Sequence, residues 1–173
     1  MKNETGKMVL SALFLAMAQV LPLLTGQVPQ IGSMLCPMHF PVILCGFLCG
    51  PSWGAAVGAC APILRHFTFG MPPLYPTGLS MAAELLVYGA VSGWCWKKLR
   101  SSGGTNKAIY VSLITAMIAG RLVWGAVRFA MMGLSGTAFS LQAFVSGAVL
   151  TAWPGILLQL LIIPMIVRAL KDL

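Results

Sequence analysis

Long apolar stretches recur from one end of this 173-residue chain to the other, and they limit its possible folds more than any other feature does. Hydrophobic residues make up 58% of the chain and charged residues only 8%, whereas a soluble domain has roughly 25% charged residues. A soluble helix also needs a polar face at helical period, which these stretches lack. The sequence therefore predicts one integral membrane domain over residues 1–173, built from α-helices alone.

Most of the basic residues lie near the chain ends or in one short loop, and their placement predicts the topology. They are Lys2, Lys7, Lys97, Lys98, Arg100, Lys107, Arg168 and Lys171. Basic residues of membrane proteins stay on the cytoplasmic side, so we expect both termini and this loop to be cytoplasmic. A nucleic-acid-binding surface would interleave basic and aromatic residues on a solvated face, so the net charge of +8 does not indicate that function.

Six membrane spans are predicted, at about residues 8–24, 33–50, 51–67, 78–96, 108–132 and 143–167. Residues 31–67 are the difficult region, because they could form one kinked helix or two short helices divided at Gly50-Pro51, a strong helix breaker. With one helix here, the basic loop at residues 97–107 would face outward. The positive-inside rule therefore favours two helices, and six in total.

Two segments, at residues 25–40 and 66–78, are then predicted to face outward. The first has no charged residue between positions 25 and 38, and the second has three prolines and two glycines. Both also hold apolar side chains, which is unusual for a solvated loop. Irregular backbone in a membrane protein is tolerated where it lines a cavity, so we expect these segments to fold over one as lids.

The stretch GRLVWGAVRF, at residues 120–129, carries two arginines inside an apolar span. Arg121 and Arg128 are about two helical turns apart, so they share one helix face, with Trp124 between them. An arginine near the bilayer centre costs about 2.5–3.5 kcal/mol on insertion scales. Such a cost indicates that each arginine has a partner or a function.

Two interpretations of these arginines stay open. Glu84 is the only acidic residue inside a predicted span, and it could form a structural salt bridge with one of them. That pairing leaves one arginine over, and the surplus positive charge could bind an anionic group, such as a carboxylate, of an external ligand. For Arg128, extension of the side chain to the outer headgroups is a further possibility.

Further ionisable and aromatic residues are predicted at the same outer level of the membrane. Trp124 could stack on a ligand or cover a guanidinium group, because it shares a face with both arginines. The candidate substrate-binding residues are Arg128, Trp124, Arg121, Glu84, Tyr75, His39, Arg65 and His66.

Neither a metal site nor a cofactor site is predicted. His39 and His66 lack the close spacing and the acidic partner that a metal site needs. The cysteines are scattered through apolar sequence and are expected to pack between helices as small residues; they are Cys36, Cys45, Cys49, Cys60 and Cys95. The chain also lacks a phosphate-binding GxxxxGK[ST] loop, so it cannot hydrolyse ATP by itself.

Pairs of small residues four positions apart are typical of close contacts between membrane helices. The first span contains such a pair in Ala12 and Ala16, extended by Ser11 and Ala18. Glycines repeat the pattern in the divided region, as the pairs Gly46/Gly50 and Gly54/Gly58.

Six short spans, the AxxxA pair, the turn GFLCGPSWGAAVG at residues 46–58 and the run FGMPPLYPTGLSMAAELLVYG at residues 69–89 together resemble the substrate-binding S components of energy-coupling factor (ECF) transporters. The resemblance implies a non-enzymatic, multi-pass protein of a prokaryotic cell membrane that captures a vitamin or vitamin precursor on the outer side. It implies docking on a membrane scaffold subunit bound to two ATPase subunits, followed by toppling in the membrane. The scaffold contact maps onto Ala12 and Ala16, and the ligand pocket onto the space under the two outer segments.

Within this resemblance, the substrate is predicted from charge. A pocket with more arginine than acid fits a carboxylate-bearing vitamin such as pantothenate, while pyridoxine-, riboflavin- and pyrimidine-like substrates stay open. Cobalt and nickel members carry a histidine directly after the initiating methionine, which this chain lacks, since Lys2 stands there. The alternative function is a stand-alone secondary transporter or channel for a small organic solute. No catalytic set indicates an enzyme.

Overall fold

The computed structural model describes residues 3–24, 32, 34–101, 104–134, 146–147 and 151–170. These residues form six α-helices of 11 residues or more and no β-strand, which confirms the predicted all-α fold. The helices are α1 (Glu4–Leu24), α2 (His39–Cys49), α3 (Pro51–Phe69), α4 (Leu79–Leu99), α5 (Thr105–Leu134) and α6 (Trp153–Leu170). Parts of the predicted outer segment 25–40 and of the predicted span 143–167 lie outside the described residues, namely 25–31, 33, 143–145 and 148–150.

The helices differ in whether they are long enough to span a membrane. Helices α1, α5 and α6 are long and apolar enough to cross a membrane. Helices α3 and α4 have 19 and 21 residues, close to the roughly 20 that a span needs. Helix α2 has only 11 residues, which at about 1.5 Å per residue cover roughly half of a hydrocarbon core about 30 Å thick.

Helix α2 begins at His39, six residues later than the predicted second span. The reason lies in the preceding residues, because Cys36 has a φ of +49° and Pro37 follows it. A left-handed residue next to a proline cannot continue a right-handed helix. At its other end, α2 stops at Cys49, and Gly50 with a φ of +102° turns the chain directly into Pro51 of α3. The predicted division at Gly50-Pro51 is therefore present.

Glycines bring α2, α3 and α4 into backbone contact. A side chain at Gly54 would lie 2.6 Å from the carbonyl oxygen of Gly89, and one at Gly93 would lie 2.7 Å from the nitrogen of Pro51. Gly46 and Gly58 are equally crowded against α4. Small residues thus allow the three helices to pack at the shortest possible distance.

Successive helices run in opposite directions, as the residues around one common cavity show. That cavity is lined from the end of α1, the start of α2, the end of α3, the start of α4 and the later part of α5, by Pro22, His39, Arg65, Glu84 and Arg128 respectively. The start of α1 and the end of α6 therefore lie at the opposite end of the bundle. The basic residues at the end of α4, Lys97 and Lys98, lie at that end as well.

Candidate functional site

A cavity of about 350 Å³ lies at the end of the bundle opposite to the basic residues. It occupies the level at which α2 is missing, since a full span would need about nine more residues on this side. Irregular backbone before α2 takes the place of those turns, and Cys36, Pro37 and Met38 line the cavity there. On the opposite wall, Met71, Pro72 and Thr77 line it from the segment between α3 and α4.

Six of the eight predicted substrate-binding residues line this cavity: His39, Arg65, Glu84, Arg121, Trp124 and Arg128. Tyr75 and His66 lie outside the lining. The Tyr75 hydroxyl donates to the carbonyl oxygen of Met131 at 2.7 Å, and the ring Nδ1 of His66 lies 3.0 Å from the carbonyl oxygen of Pro72. These two contacts attach the segment between α3 and α4 to its neighbours.

Glu84 forms the floor of the cavity together with Arg121 and His39. Its side chain is almost fully buried, and its Oε1 lies 3.0 Å from Nη1 of Arg121 and 3.4 Å from Nε2 of His39. The ion pair with Arg121 does not have the angles of a hydrogen bond. Arg121 also points Nη2 at the sulfur of Cys36, at 3.6 Å. Glu84 therefore pairs with Arg121 and not with Arg128.

Tyr88 holds the floor in position, one helical turn after Glu84. Its ring meets that of His39 edge to face, with the ring centroids 5.0 Å apart and the planes at 90°. Gly120 of α5 lies against the same ring, and any side chain at that position would collide with it. The glycine at the start of the GRLVWGAVRF stretch therefore lets α5 bring Arg121 up to Glu84.

Arg128 lies nearer to the cavity mouth and has no carboxylate partner within 4 Å in the described part of the chain. Its Nη1 donates to the Thr77 hydroxyl at 3.2 Å, and its guanidinium lies 5.8 Å from the ring centroid of Trp124. Its Nε is buried and has no hydrogen-bond partner in the described residues. A positive charge with spare donors at the mouth of a cavity can bind an anionic group.

Arg65 has a different role in the geometry. It is buried, donates through Nη1 to the backbone carbonyl of Gln19 at 2.7 Å, and lies over the ring of Phe69 at 4.9 Å. Gln19 in turn donates through Nε2 to the carbonyl of Ala61 at 3.0 Å. These two hydrogen bonds, which we call the α1–α3 clamp, tie the two helices together beside the cavity.

Several lining residues were missed by the reasoning from sequence. Thr77 contacts Arg128, and Gly147 lies against Trp124, where a side chain would come within 2.9 Å of the indole Cη2. Cys36 was assigned to helix packing, yet its sulfur faces Arg121. Neither Thr77 nor Gly147 carried a signal in the sequence, because a threonine before a helix and a glycine in an apolar stretch are both common.

The described residues contain no group of three or more side chains that could hold a metal ion. His39 faces Glu84 in the cavity, while His66 faces the backbone of Pro72 outside it. The two histidines are therefore held in separate environments.

Helix α1 presents two different faces. Ala12 and Ala16 are exposed on its outer side, together with large apolar neighbours such as Leu13. Ser11 and Ala18, in contrast, are buried against the bundle at 3% and 0% exposure. The predicted extension of the small-residue stripe to these two residues is therefore wrong, because at 100° per residue they fall on the inner face.

The comparisons with known proteins agree with this architecture. The family model of the ECF transporter substrate-specific component matches residues 6–167, almost the whole chain. The chain belongs to this family. No curated protein and no solved structure matches this chain. Family membership confirms a six-helix, multi-pass membrane protein that acts as a binding subunit and not as an enzyme. It also implies two kinds of partner for this S component, a substrate and an ECF module.

Proposed function

We propose that this S component binds a carboxylate-bearing vitamin or vitamin precursor in the cavity, with Arg128 as the contact for the carboxylate. The observation that carries the proposal is the charge balance of the lining. Glu84 is paired with Arg121, whereas among the described residues Arg128 contacts a hydroxyl and an aromatic ring but no carboxylate. A ligand carboxylate would supply the missing negative charge.

The rest of the lining supports a small organic ligand. The cavity volume of about 350 Å³ lies within the range typical of small-molecule sites. Trp124 offers an aromatic surface beside Arg128, and Met81 and Pro72 offer apolar contacts. Pantothenate carries one carboxylate at the end of an uncharged chain that includes a dimethyl group, and it is the first compound to test, followed by pyridoxine, riboflavin and pyrimidine derivatives. Residues 66–78, which include His66 and Tyr75, would cover the bound ligand.

The experiment starts from the chain purified alone in detergent. Any ligand that co-purifies is identified by mass spectrometry, and binding of each candidate vitamin is measured by calorimetry. We expect a carboxylate-bearing compound to bind and a variant with Arg128→Gln to bind it more weakly. Binding of an uncharged vitamin alone, unaffected by Arg128→Gln, would contradict the proposed carboxylate contact.

We further propose that Ala12 and Ala16 contact a scaffold subunit that is bound to two ATPase subunits. Both alanines are exposed on α1, and they lie away from the cavity lining. Ala12→Trp should therefore leave ligand binding by the purified chain intact and abolish uptake in cells that contain the whole module. Uptake into liposomes by the chain alone, driven by an ion gradient, would instead support a stand-alone transporter.

A further inference from the structure

The two arginines of α5 stand in different electrostatic environments along one wall of the cavity. Arg121 is neutralised by Glu84 at 3.0 Å, deep in the cavity, while Arg128 lies two helical turns nearer to the mouth. Seven residues of helix separate them by about 10 Å. The cavity therefore has a positive mouth and a floor on which the charges of Glu84 and Arg121 cancel.

We infer that Glu84 is a specificity-determining residue, which restricts the substrate to one anionic group at Arg128 and an uncharged hydrogen-bonding group at the floor. This inference rests on the proposed function and narrows it. A second anionic group at the floor would meet the buried carboxylate of Glu84, and like charges in a dry environment repel strongly. A cationic group there would meet Arg121 instead.

The floor is able to bind an uncharged polar group because its donors are only partly used. The Nε of Arg121 has no hydrogen-bond partner among the described residues, and its Nη2 contacts a sulfur, which is a weak acceptor. Both ring nitrogens of His39 also lack a hydrogen-bond partner in the described part of the chain. A hydroxyl, an amide carbonyl or a ring nitrogen of the substrate could accept from Arg121 without adding charge.

The third arginine of the lining does not change this assignment. Arg65 is held by the backbone carbonyl of Gln19 and by Phe69, on the wall formed by α1 and α3. Arg65 keeps its positive charge, but it lies four residues before the end of α3, so that charge adds to the positive mouth and not to the floor. The inferred substrate is an elongated molecule with one anionic end and, about 10 Å away, an uncharged polar end.

The first test uses two probes that differ at one end, pantothenate and its 4′-phosphate ester. Binding is measured by calorimetry to the purified wild-type chain, to Glu84→Gln, and to Glu4→Gln as a control that removes an exposed acid paired with Lys7 at the other end of the bundle. We expect the phosphate ester to bind the wild type at least about tenfold more weakly than pantothenate. Glu84→Gln should shrink or reverse this difference, and Glu4→Gln should leave it unchanged.

The second test needs no knowledge of the substrate. Thermal unfolding is measured in sodium sulfate and in sodium chloride of the same ionic strength, since an anion that binds the folded state raises its melting temperature. Glu84→Gln should gain more from sulfate than the wild type does, because Arg121 is released. The double variant Glu84→Gln/Arg121→Met should lose that gain, and its floor is again uncharged, which favours folding.

The outcomes separate the inference from the proposed function. If the wild type binds neither probe, pantothenate is the wrong vitamin, and the sulfate comparison alone decides the role of Glu84. Equal affinity of the wild type for the two probes would overturn the inference and leave the carboxylate contact at Arg128 intact. A preference for pantothenate that persists in Glu84→Gln would also overturn it, because the cause would then be the size of the phosphate.

Discussion

The half of the bundle that contains the cavity, which we call the outer half, differs in composition from the half at the basic end, which we call the inner half. In the outer half, α2 is absent, and charged and aromatic side chains surround a cavity. In the inner half, glycines bring the backbones of α2, α3 and α4 into contact, and the side chains between them are small or apolar. The first arrangement leaves space for a ligand and the second removes space altogether.

The difference shows how a chain of this size combines a binding site with a stable fold. Backbone contact through glycine is independent of charge and of ligand, so the inner half can support the outer half in every state. The outer half contains both kinds of residue, those that hold the fold and those that await a ligand. Four substitutions test this division, in decreasing order of the expected effect.

The largest effect is expected for Arg121→Ala, in the outer half. It leaves Glu84 as an unpaired buried carboxylate, and removal of one member of a buried ion pair costs about 3–5 kcal/mol of stability. The measurement is thermal or denaturant unfolding in detergent. Arg100→Ala, at an exposed turn, serves as the control and should change little. A double variant with Glu84→Gln should recover part of the loss; equal stability of Arg121→Ala and wild type would show that the pair is not structural.

The next effect is expected for Gly89→Ala, in the inner half. The added methyl group would collide with the backbone of Gly54, and overpacking against backbone should cost about 3 kcal/mol, the upper end of the usual range. The same unfolding measurement applies. Gly133→Ala is the matched control, because no atom lies within 4 Å of a side chain there. If both variants unfolded at the same temperature, the glycine contact between α3 and α4 would not limit the stability of the protein.

A third substitution, Arg128→Ala, should affect binding and leave stability nearly unchanged. Loss of a charge-assisted contact is expected to weaken ligand binding by about 2 kcal/mol, roughly thirtyfold. Calorimetry with the ligand that co-purifies measures it, and Arg168→Ala at the other end of the bundle is the control. A large loss of stability in Arg128→Ala would place this residue with Arg121 among those that hold the fold.

The smallest effect is expected for Ser11→Ala, in the inner half. The Ser11 hydroxyl accepts a long contact of 3.5 Å from the Cys45 thiol, and the loss of so weak a hydrogen bond should cost about 0.5 kcal/mol. Unfolding midpoints of the variant and the wild type should nearly coincide. A loss of more than about 1 kcal/mol in the free energy of unfolding would mean that polar contacts also stabilise the inner half.

The helices of this protein were predictable because the bilayer constrains them. The length of the apolar stretches and the positive-inside rule together led to six helices, and Gly50-Pro51 marked the turn between α2 and α3. The late start of α2 was not marked by hydropathy, because Met34, Leu35 and Met38 before it are apolar as well. Pro37 was the available signal, since proline disfavours helix in the residue before it, whereas the φ of +49° at Cys36 could not be read from the sequence.

The candidate site was predictable where a residue has a high free-energy cost inside the membrane. Arg121, Arg128 and Glu84 stood out because charge inside an apolar span needs a reason, and the structure brings all three to one cavity. Residues with ordinary roles elsewhere gave no such signal. Thr77 resembles any threonine before a helix, and Tyr75 resembles a ligand-stacking aromatic although it contacts the backbone of α5.

The glycine contacts between α2, α3 and α4 have a consequence for motion. Helices whose backbones touch cannot slide or rotate past one another without breaking many contacts at once, so we expect these three to open together and rarely. Their amide hydrogens should exchange with deuterated solvent far more slowly than those of the segment between α3 and α4, which has few buried neighbours. Exchange measured by mass spectrometry would then distinguish slowly exchanging helices α2, α3 and α4 from a rapidly exchanging segment between α3 and α4. The cavity lies where these two regions meet.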